Sequence, residues 1–569
     1  MKQKMGWKSF LCALLFLSLG LALTGCGADE GVKARPSLTE KEAKENLAAL
    51  LTQVNVKEVP LRMDISGTEL SDPGAELPDI AKYPLSVAGT APVNVEIMAS
   101  TEKAGPGMDG WLNAVAESFN RSGATASGQK VSVSIRPVAS GLATDYITTD
   151  RYVPDAFSPA NSLWGEIGSA LGATMEAFET RLAGNTAGIL MSKSAHEKYS
   201  AKYGDVTLGQ IIEAVMAGDL LLGYTNPYVS STGLNILTAM LQTFDPQDPL
   251  SPAAMERLQA FQAMVPPVAY TTAQMRESAK NGVLDAMIME YQAYINEPSL
   301  KDYVFTPCGV RHDNPVYVTG NLTADQRDAL RLFADYCKGD WAQKEAARFG
   351  FNANDDYPGQ PIRLNGNKLA AAQQVWKKSK DGGRPVVAVF VTDVSGSMGG
   401  SPIQQLTSSL VNASGYIGAG NYIGLISYAN DVSVNLPIAE FDGPQKAYFN
   451  GAVRDLSAGG GTATYDAVLV GLDMLLTSRD KIPNAKLMLF VLSDGAQNQG
   501  YSLDKITPVV RGLGIPIYTF GYNIAGEDAE KKSAREALKT LSSINEASTI
   551  SADEGDVVYN LRNFFNAQM

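Results

Sequence analysis

Residues 386–400 read VVAVFVTDVSGSMGG. Six apolar residues run unbroken from Val386 to Val391. Asp393, Ser395 and Ser397 then follow at alternate positions before the glycines begin. A strand apolar on both faces is one covered by helices on both sides, as in parallel α/β sheets. Oxygen-bearing side chains just past its carboxyl end stand where such sheets build their ligand sites. A second run of this kind, Lys486–Leu492, ends in Ser493-Asp494-Gly495, and Gly459-Gly460-Gly461-Thr462 leads into a helical stretch from Tyr465. Further strand-like runs are Tyr422–Tyr428, Val432–Ile438 and Ile515–Phe520, with a weaker one near Thr549. Only three residues part the first two, which predicts a hairpin with one antiparallel edge strand. Residues 384–569 are thus expected to form a doubly wound, Rossmann-like α/β sheet.

Aspartates and hydroxyls at one sheet edge, with no cysteine or histidine among them, make a hard-oxygen site suited to Mg²⁺, Mn²⁺ or Ca²⁺. Two carboxylates neutralise the ion, and hydroxyl and water ligands leave it electrophilic enough to take a carboxylate from outside. No general base, nucleophile or phosphate loop accompanies the pattern, which points to binding and not to an enzyme. The bland alternative is a turn in which Asp393 and Ser395 cap the next helix, and Asp466 reads as a first-turn acid favoured by the helix dipole. The pattern D-x-S-x-S, with Thr462 69 residues beyond Asp393 and Asp494 101 beyond it, resembles the von Willebrand factor A (VWA) domain and its metal-ion-dependent adhesion site (MIDAS). That resemblance implies that Ser395, Ser397 and Thr462 ligate the ion and that Asp393 and Asp494 act directly or through water. It also implies a protein or peptide partner, bridged to the metal through a carboxylate.

The chain has 569 residues, 45% apolar and 19% charged, ordinary for a globular protein and too long for one core. Lys2, Lys4 and Lys8 precede an apolar run from Phe10 to Ala22, too short for a stable membrane anchor, and Leu23-Thr24-Gly25-Cys26 closes it. Residues 1–25 read as a signal peptide. The segment resembles the lipobox of bacterial lipoproteins, which implies that Cys26 is acylated (palmitate) and that the protein is extracytoplasmic, held to the cell membrane by lipid alone. Losing three lysines takes the net charge from −13 to −16, which disfavours nucleic acid and anionic headgroups as partners.

Residues 26–91 read as a tether and N-terminal extension, and residues 351–383, rich in Asn, Asp, Pro, Gly and Lys, as a linker. Cys308 and Cys337 are either a disulfide or two buried thiols, and the sequence leaves both open. His196 and His312 lie in polar surroundings and read as surface residues.

Strand-like and helix-like segments alternate again over 92–350. VNVEIMAS (93–100) precedes an amphipathic helix with Trp111, Leu112, Val115 and Phe119 inward, and VSVSIRPV (131–138) follows. Within Asn226-Pro-Tyr-Val-Ser-Ser-Thr-Gly233 a turn opens an apolar helix with hydroxyls and glycine. Its free N–H groups either cradle an anion or are merely capped, a gain of about 1 kcal/mol. This order resembles the extracytoplasmic solute-binding proteins of ABC importers, two α/β lobes closing on a ligand. The resemblance implies a small, anionic solute in a cleft faced by Ser100, Thr101, Ser158, Ser231, Thr232 and Glu290. Trp111 and Trp164 read as core.

The expected molecule is a lipid-anchored surface protein that uses a metal to recognise a partner carboxylate. The alternative is the substrate-binding receptor of an ABC importer, with the VWA domain as its assembly module.

Overall fold

A computed structural model describes residues 38–64, 77–265, 275, 284–418, 420–495, 497–522, 524, 526–545, 547, 549–552 and 559–561. The expected signal peptide, Cys26 and the first part of the tether lie outside them.

The C-terminal sheet has seven strands: β1 (Val56–Glu58), β2 (Val386–Asp393), β3 (Tyr422–Tyr428), β4 (Val432–Glu440), β5 (Lys486–Ser493), β6 (Ile517–Tyr522) and β7 (Thr549–Ala552). Their spatial order is β1-β4-β3-β2-β5-β6-β7. Strands β3, β2, β5, β6 and β7 run parallel, and β4 is antiparallel to β3. Every residue of β2 is buried. Val386, Ala388 and Phe390 enter one core and Val387, Val389 and Val391 the other, as a two-sided strand requires. Phe390 stacks on Phe490 at 5.1 Å and Phe490 on Tyr518 at 5.4 Å, a row of rings across three strands. The β2–β5 register sets Thr392 opposite Leu492. Asp393 and Ser493 therefore leave the sheet side by side.

The hairpin is present, but β4 is not the edge. Its outer side pairs in parallel with β1, which comes from the expected N-terminal extension. Helix α1 (Glu40–Leu51) opens on a Thr39–Glu42 capping box and buries Ala43 and Leu47 in the same core. A Cβ on Gly512 would stand 2.7 Å from that of Ala43, so only glycine lets α1 sit this close.

The preceding domain has two sheets. The first lobe has six strands, in which Val93–Ala99 lies between the parallel partners Gln129–Pro137 and Ala156–Ser158. The second has four, ordered Val304–Arg311, Thr186–Met191, Ala286–Glu290 and Leu222–Gly223. The chain crosses between the lobes at residues 180–185 and again at 312–315.

The expected linker is built into this domain. Phe351 joins the first lobe's core, and the helix Gly366–Ser379 buries Leu369, Ala372 and Trp376. The Trp376 indole N–H donates to the Tyr224 hydroxyl at 2.7 Å. Cys308 and Cys337 are both free and buried in separate cores, so the disulfide does not form; burial pushes the Cys308 thiol up to about 12. Among the described residues no helix is long and apolar enough to cross a membrane.

Candidate functional site

The candidate metal site forms where β2 and β5 end. Asp393 is fully buried and accepts from the Ser395 N–H at 2.8 Å, the Ser493 hydroxyl at 2.7 Å and the Tyr428 hydroxyl at 3.2 Å. The Ser395 and Ser397 hydroxyls are 3.0 Å apart, and Ser397 donates to Asp494 Oδ1 at 2.9 Å. Four of the five expected residues thus lie in one hydrogen-bonded chain running from the core to an exposed Ser397.

Thr462, nearly buried, is brought up by its loop. Gly396 N donates to Gly460 O at 3.0 Å and Gly459 N to Val394 O at 2.8 Å, which ties the glycine run to the D-x-S-x-S turn. The Thr462 N–H donates to Asn498 Oδ1 at 2.9 Å and the Gly461 N–H to Asn430 Oδ1 at 2.6 Å. Asp466 accepts from the Tyr501 N–H at 2.8 Å, so it holds the 498–501 loop besides starting the helix α2 (Thr464–Arg479).

Burial pushes the Asp393 carboxyl up against its hydrogen bonds. Asp494 is pushed up to about 6 by burial and by the charge of Asp393. A carboxyl raised by burial and by a neighbouring carboxylate gains from a cation beside it, which favours its charged form. Among the described residues no three His, Cys, Asp or Glu side chains gather to hold a metal. This site has two carboxylates, completed by three hydroxyls and open to water on one side. The donors are all oxygen and fit a hard divalent cation, which Asp393, Ser395, Ser397, Thr462 and Asp494 would hold.

The cleft between the lobes is a buried network that the sequence reading caught only in part. Glu290 is fully buried at the N-terminus of the helix Ser231–Phe244. Its carboxylate lies 2.9 Å from His312 Nδ1 and accepts from the Thr232 hydroxyl at 3.1 Å and the Asn185 amide at 2.8 Å. Burial alone would raise its pKa, yet His312, Thr232 and Lys103 hold it below the ordinary carboxylate value. At the helix start itself Ser230 is the N-cap and accepts from the Gly233 N–H at 3.4 Å, so of the two expected roles the hydroxyls here serve as caps, and Glu290 bonds the Thr232 side chain.

Ser231 accepts from the Trp164 indole N–H at 2.9 Å, and its carbonyl from Asn161 at 3.2 Å. Trp164 is therefore a bridge between the lobes as well as core, whereas Trp111 is core and donates to the Ala342 carbonyl. Ser100 accepts from the Lys103 ammonium, which also bonds the carbonyls of Ser158 and Pro159, and the Ser158 hydroxyl turns away to Pro315 O. Thr101 is exposed and outside the network.

His312, expected on the surface, has no exposure and bridges Glu290, Asn161 and Asn235. Its place on the crossing segment between lobes buries it. Glu102 and Lys103 were missed as well. Burial pushes the first carboxyl up and the second ammonium down, and the only sequence signal was a charged pair directly after an apolar strand.

Comparison with known proteins agrees with this division. Residues 388–567 match the von Willebrand factor type A domain, and residues 103–352 match the bacterial extracellular solute-binding protein family. Inter-alpha-trypsin inhibitor heavy chain H3 of Bos taurus is 33% identical over 153 residues, covering 25% of this chain and 17% of that one. Heavy chain H1 of Sus scrofa is 27% identical over 156 residues, covering 25% and 16%. The chain spans less than a fifth of these relatives' length. Among solved structures, a von Willebrand factor type A protein from Catenulispora acidiphila is 20% identical over 32% of this chain and 42% of its own, with TM-score 0.28. The sulfate-binding protein SubI from Mycobacterium tuberculosis is 13% identical over 50% of this chain and 91% of its own, with TM-score 0.34. The chain carries a solute-binding-like domain followed by a VWA domain.

Proposed function

We propose that this is an extracytoplasmic binding protein, lipid-anchored through Cys26, and not an enzyme. Its VWA domain holds one Mg²⁺, Mn²⁺ or Ca²⁺ and recognises a carboxylate of a partner protein or peptide, as in adhesion. One observation supports this above the rest: the hydrogen-bonded chain from buried Asp393 through Ser395 and Ser397 to half-buried Asp494 ends at solvent. A bound cation there keeps an open coordination position, which is what an incoming carboxylate needs. The test is Mg²⁺ titration calorimetry on the full chain, with capture of partners from cell extract in Mg²⁺ and in EDTA. One-to-one binding and EDTA-sensitive capture, both lost in Ser397→Ala, are expected. Capture that ignores EDTA would remove the metal from the mechanism.

The importer-receptor alternative requires the cleft to admit an anionic solute. Glu290 speaks against it, because a second anion beside it would meet a buried carboxylate that already takes the Thr232, Asn185 and His312 donors. We infer that the two-lobed domain serves as a scaffold.

A further inference from the structure

The metal-site loop is gripped from outside by a segment that contributes no candidate ligand. Asn430, at the tip of the β3–β4 hairpin, accepts from the Gly461 N–H, one residue before Thr462. The Ala463 N–H donates to Ala429 O at 2.9 Å, so the same tip holds the loop on both sides of Thr462. That tip is fastened by the N-terminal strap. The Val432 N–H donates to Asn55 O at 3.1 Å, Lys57 Nζ meets Asp431 Oδ2 at 2.6 Å, and the Val59 N–H donates to Val434 O at 3.1 Å.

The strap also reaches the other support of Thr462. The amides of Asn498 and Gln499 both donate to the Thr462 carbonyl, and the loop they begin ends at Tyr501, whose hydroxyl donates to Leu50 O at 3.0 Å. Each wall of the Thr462 loop therefore rests on residues 50–59. Ala43 and Leu47 hold the strap itself in the core, and α1 packs against the helix Leu503–Leu513.

We propose that residues 40–59, acting through the β3–β4 hairpin tip, are a positioning element of the metal site, with Lys57 of the strap and Asn430 of the tip as the working side chains. The strap fixes the hairpin tip, the tip fixes Gly461 and Ala463, and Thr462 is thereby held ready for the ion. A preset ligand need not be ordered when the metal arrives, so loosening the strap weakens metal affinity without unfolding the domain. Coupling is reciprocal, so the metal must in turn steady the strap. The inference rests on the metal-binding reading above.

The test uses the full chain, with Mg²⁺ as the probe. Asn430 is exposed and Lys57 is paired at the surface, so Asn430→Ala and Lys57→Glu are expected to fold and to melt in EDTA as wild type does. Their Mg²⁺ Kd, by calorimetry, is expected to rise about tenfold for Asn430→Ala and severalfold for Lys57→Glu, within the usual range for coupled sites. Lys57→Arg is expected to restore wild-type affinity. Mg²⁺ is also expected to slow hydrogen exchange at the Val432 and Val59 amides of wild type. If wild type binds Mg²⁺, Mn²⁺ and Ca²⁺ not at all, the metal reading falls and this inference with it. If wild type binds but the variants bind equally well and the strap amides gain no protection, the strap alone is refuted.

Discussion

Asp393 and Asp494 are the same chemical group in two different situations. Asp393 takes three donors inside the sheet. Replacing it by alanine leaves those donors unpaired, at about 1–3 kcal/mol each where no water reaches. Asp494 sits half-buried beside a like charge and accepts one hydroxyl. Asp494→Ala is therefore expected to leave metal-free stability unchanged or slightly raised, while Asp393→Ala lowers it by several kcal/mol. With Mg²⁺ at a hundredfold excess over Kd, wild type gains about 2.7 kcal/mol and Asp494→Ala gains almost nothing. Hydrogen exchange of the buried β2 and β5 amides, in EDTA and in Mg²⁺, measures both effects. Equal damage from the two substitutions in EDTA would make Asp494 a structural cap. That the five candidate positions converge at one sheet edge was legible because order and spacing along the chain carry it. Tyr428, Asn430 and Asn498 were not, because sheet pairing and loop contacts bring them to the site from strands and loops that no spacing rule connects. His312 misled for the same reason: its sequence neighbours are polar, and its spatial neighbours bury it.

At the scale of elements, the strongly apolar strands and the amphipathic helix carrying Trp111 and Phe119 were read correctly, whereas two pieces set among polar residues were not. In residues 364–380 the apolar Leu369, Ala372 and Trp376 fall at helical spacing, but Asn, Lys and Gly around them suggested a linker. The structure makes this helix a wall of the two-lobed core, against Trp164, Tyr224 and Phe261 in one cluster. Trp376→Ala removes a fully buried indole and its bond to Tyr224, a loss of about 3–5 kcal/mol. A lower melting point of the two-lobed domain by circular dichroism is expected, with Mg²⁺ affinity unchanged. A shift worth less than about 1 kcal/mol would mean that the helix is dispensable. The strand β1 was hidden for a related reason. Val56, Lys57 and Glu58 are all exposed and carry no apolar alternation, so only pairing with β4 identifies them as sheet.

Across the whole molecule, the question is whether the lobes are free to open on a solute. Trp164 and Asn161 of one lobe bond directly to Ser231 of the other, and the Gly141 N–H donates to Val229 O at 3.2 Å. Between them Glu290 sets a carboxylate beside the first turn of the helix Ser231–Phe244, held by Thr232, Asn185 and His312. Glu290→Ala is then expected to cost about 1–3 kcal/mol for each buried donor it strands, the Thr232 hydroxyl, the Asn185 amide and the His312 ring. It also leaves a carboxylate-sized gap lined by an amide, a hydroxyl and an imidazole. Acetate or formate is expected to raise the variant's melting point saturably and to leave wild type unmoved, with a non-coordinating salt at equal ionic strength as control. No rescue would mean that Glu290 packs without standing in for a ligand. A metabolite anion that stabilises wild type itself would restore the receptor reading, since a solute able to enter must find donors that Glu290 does not hold.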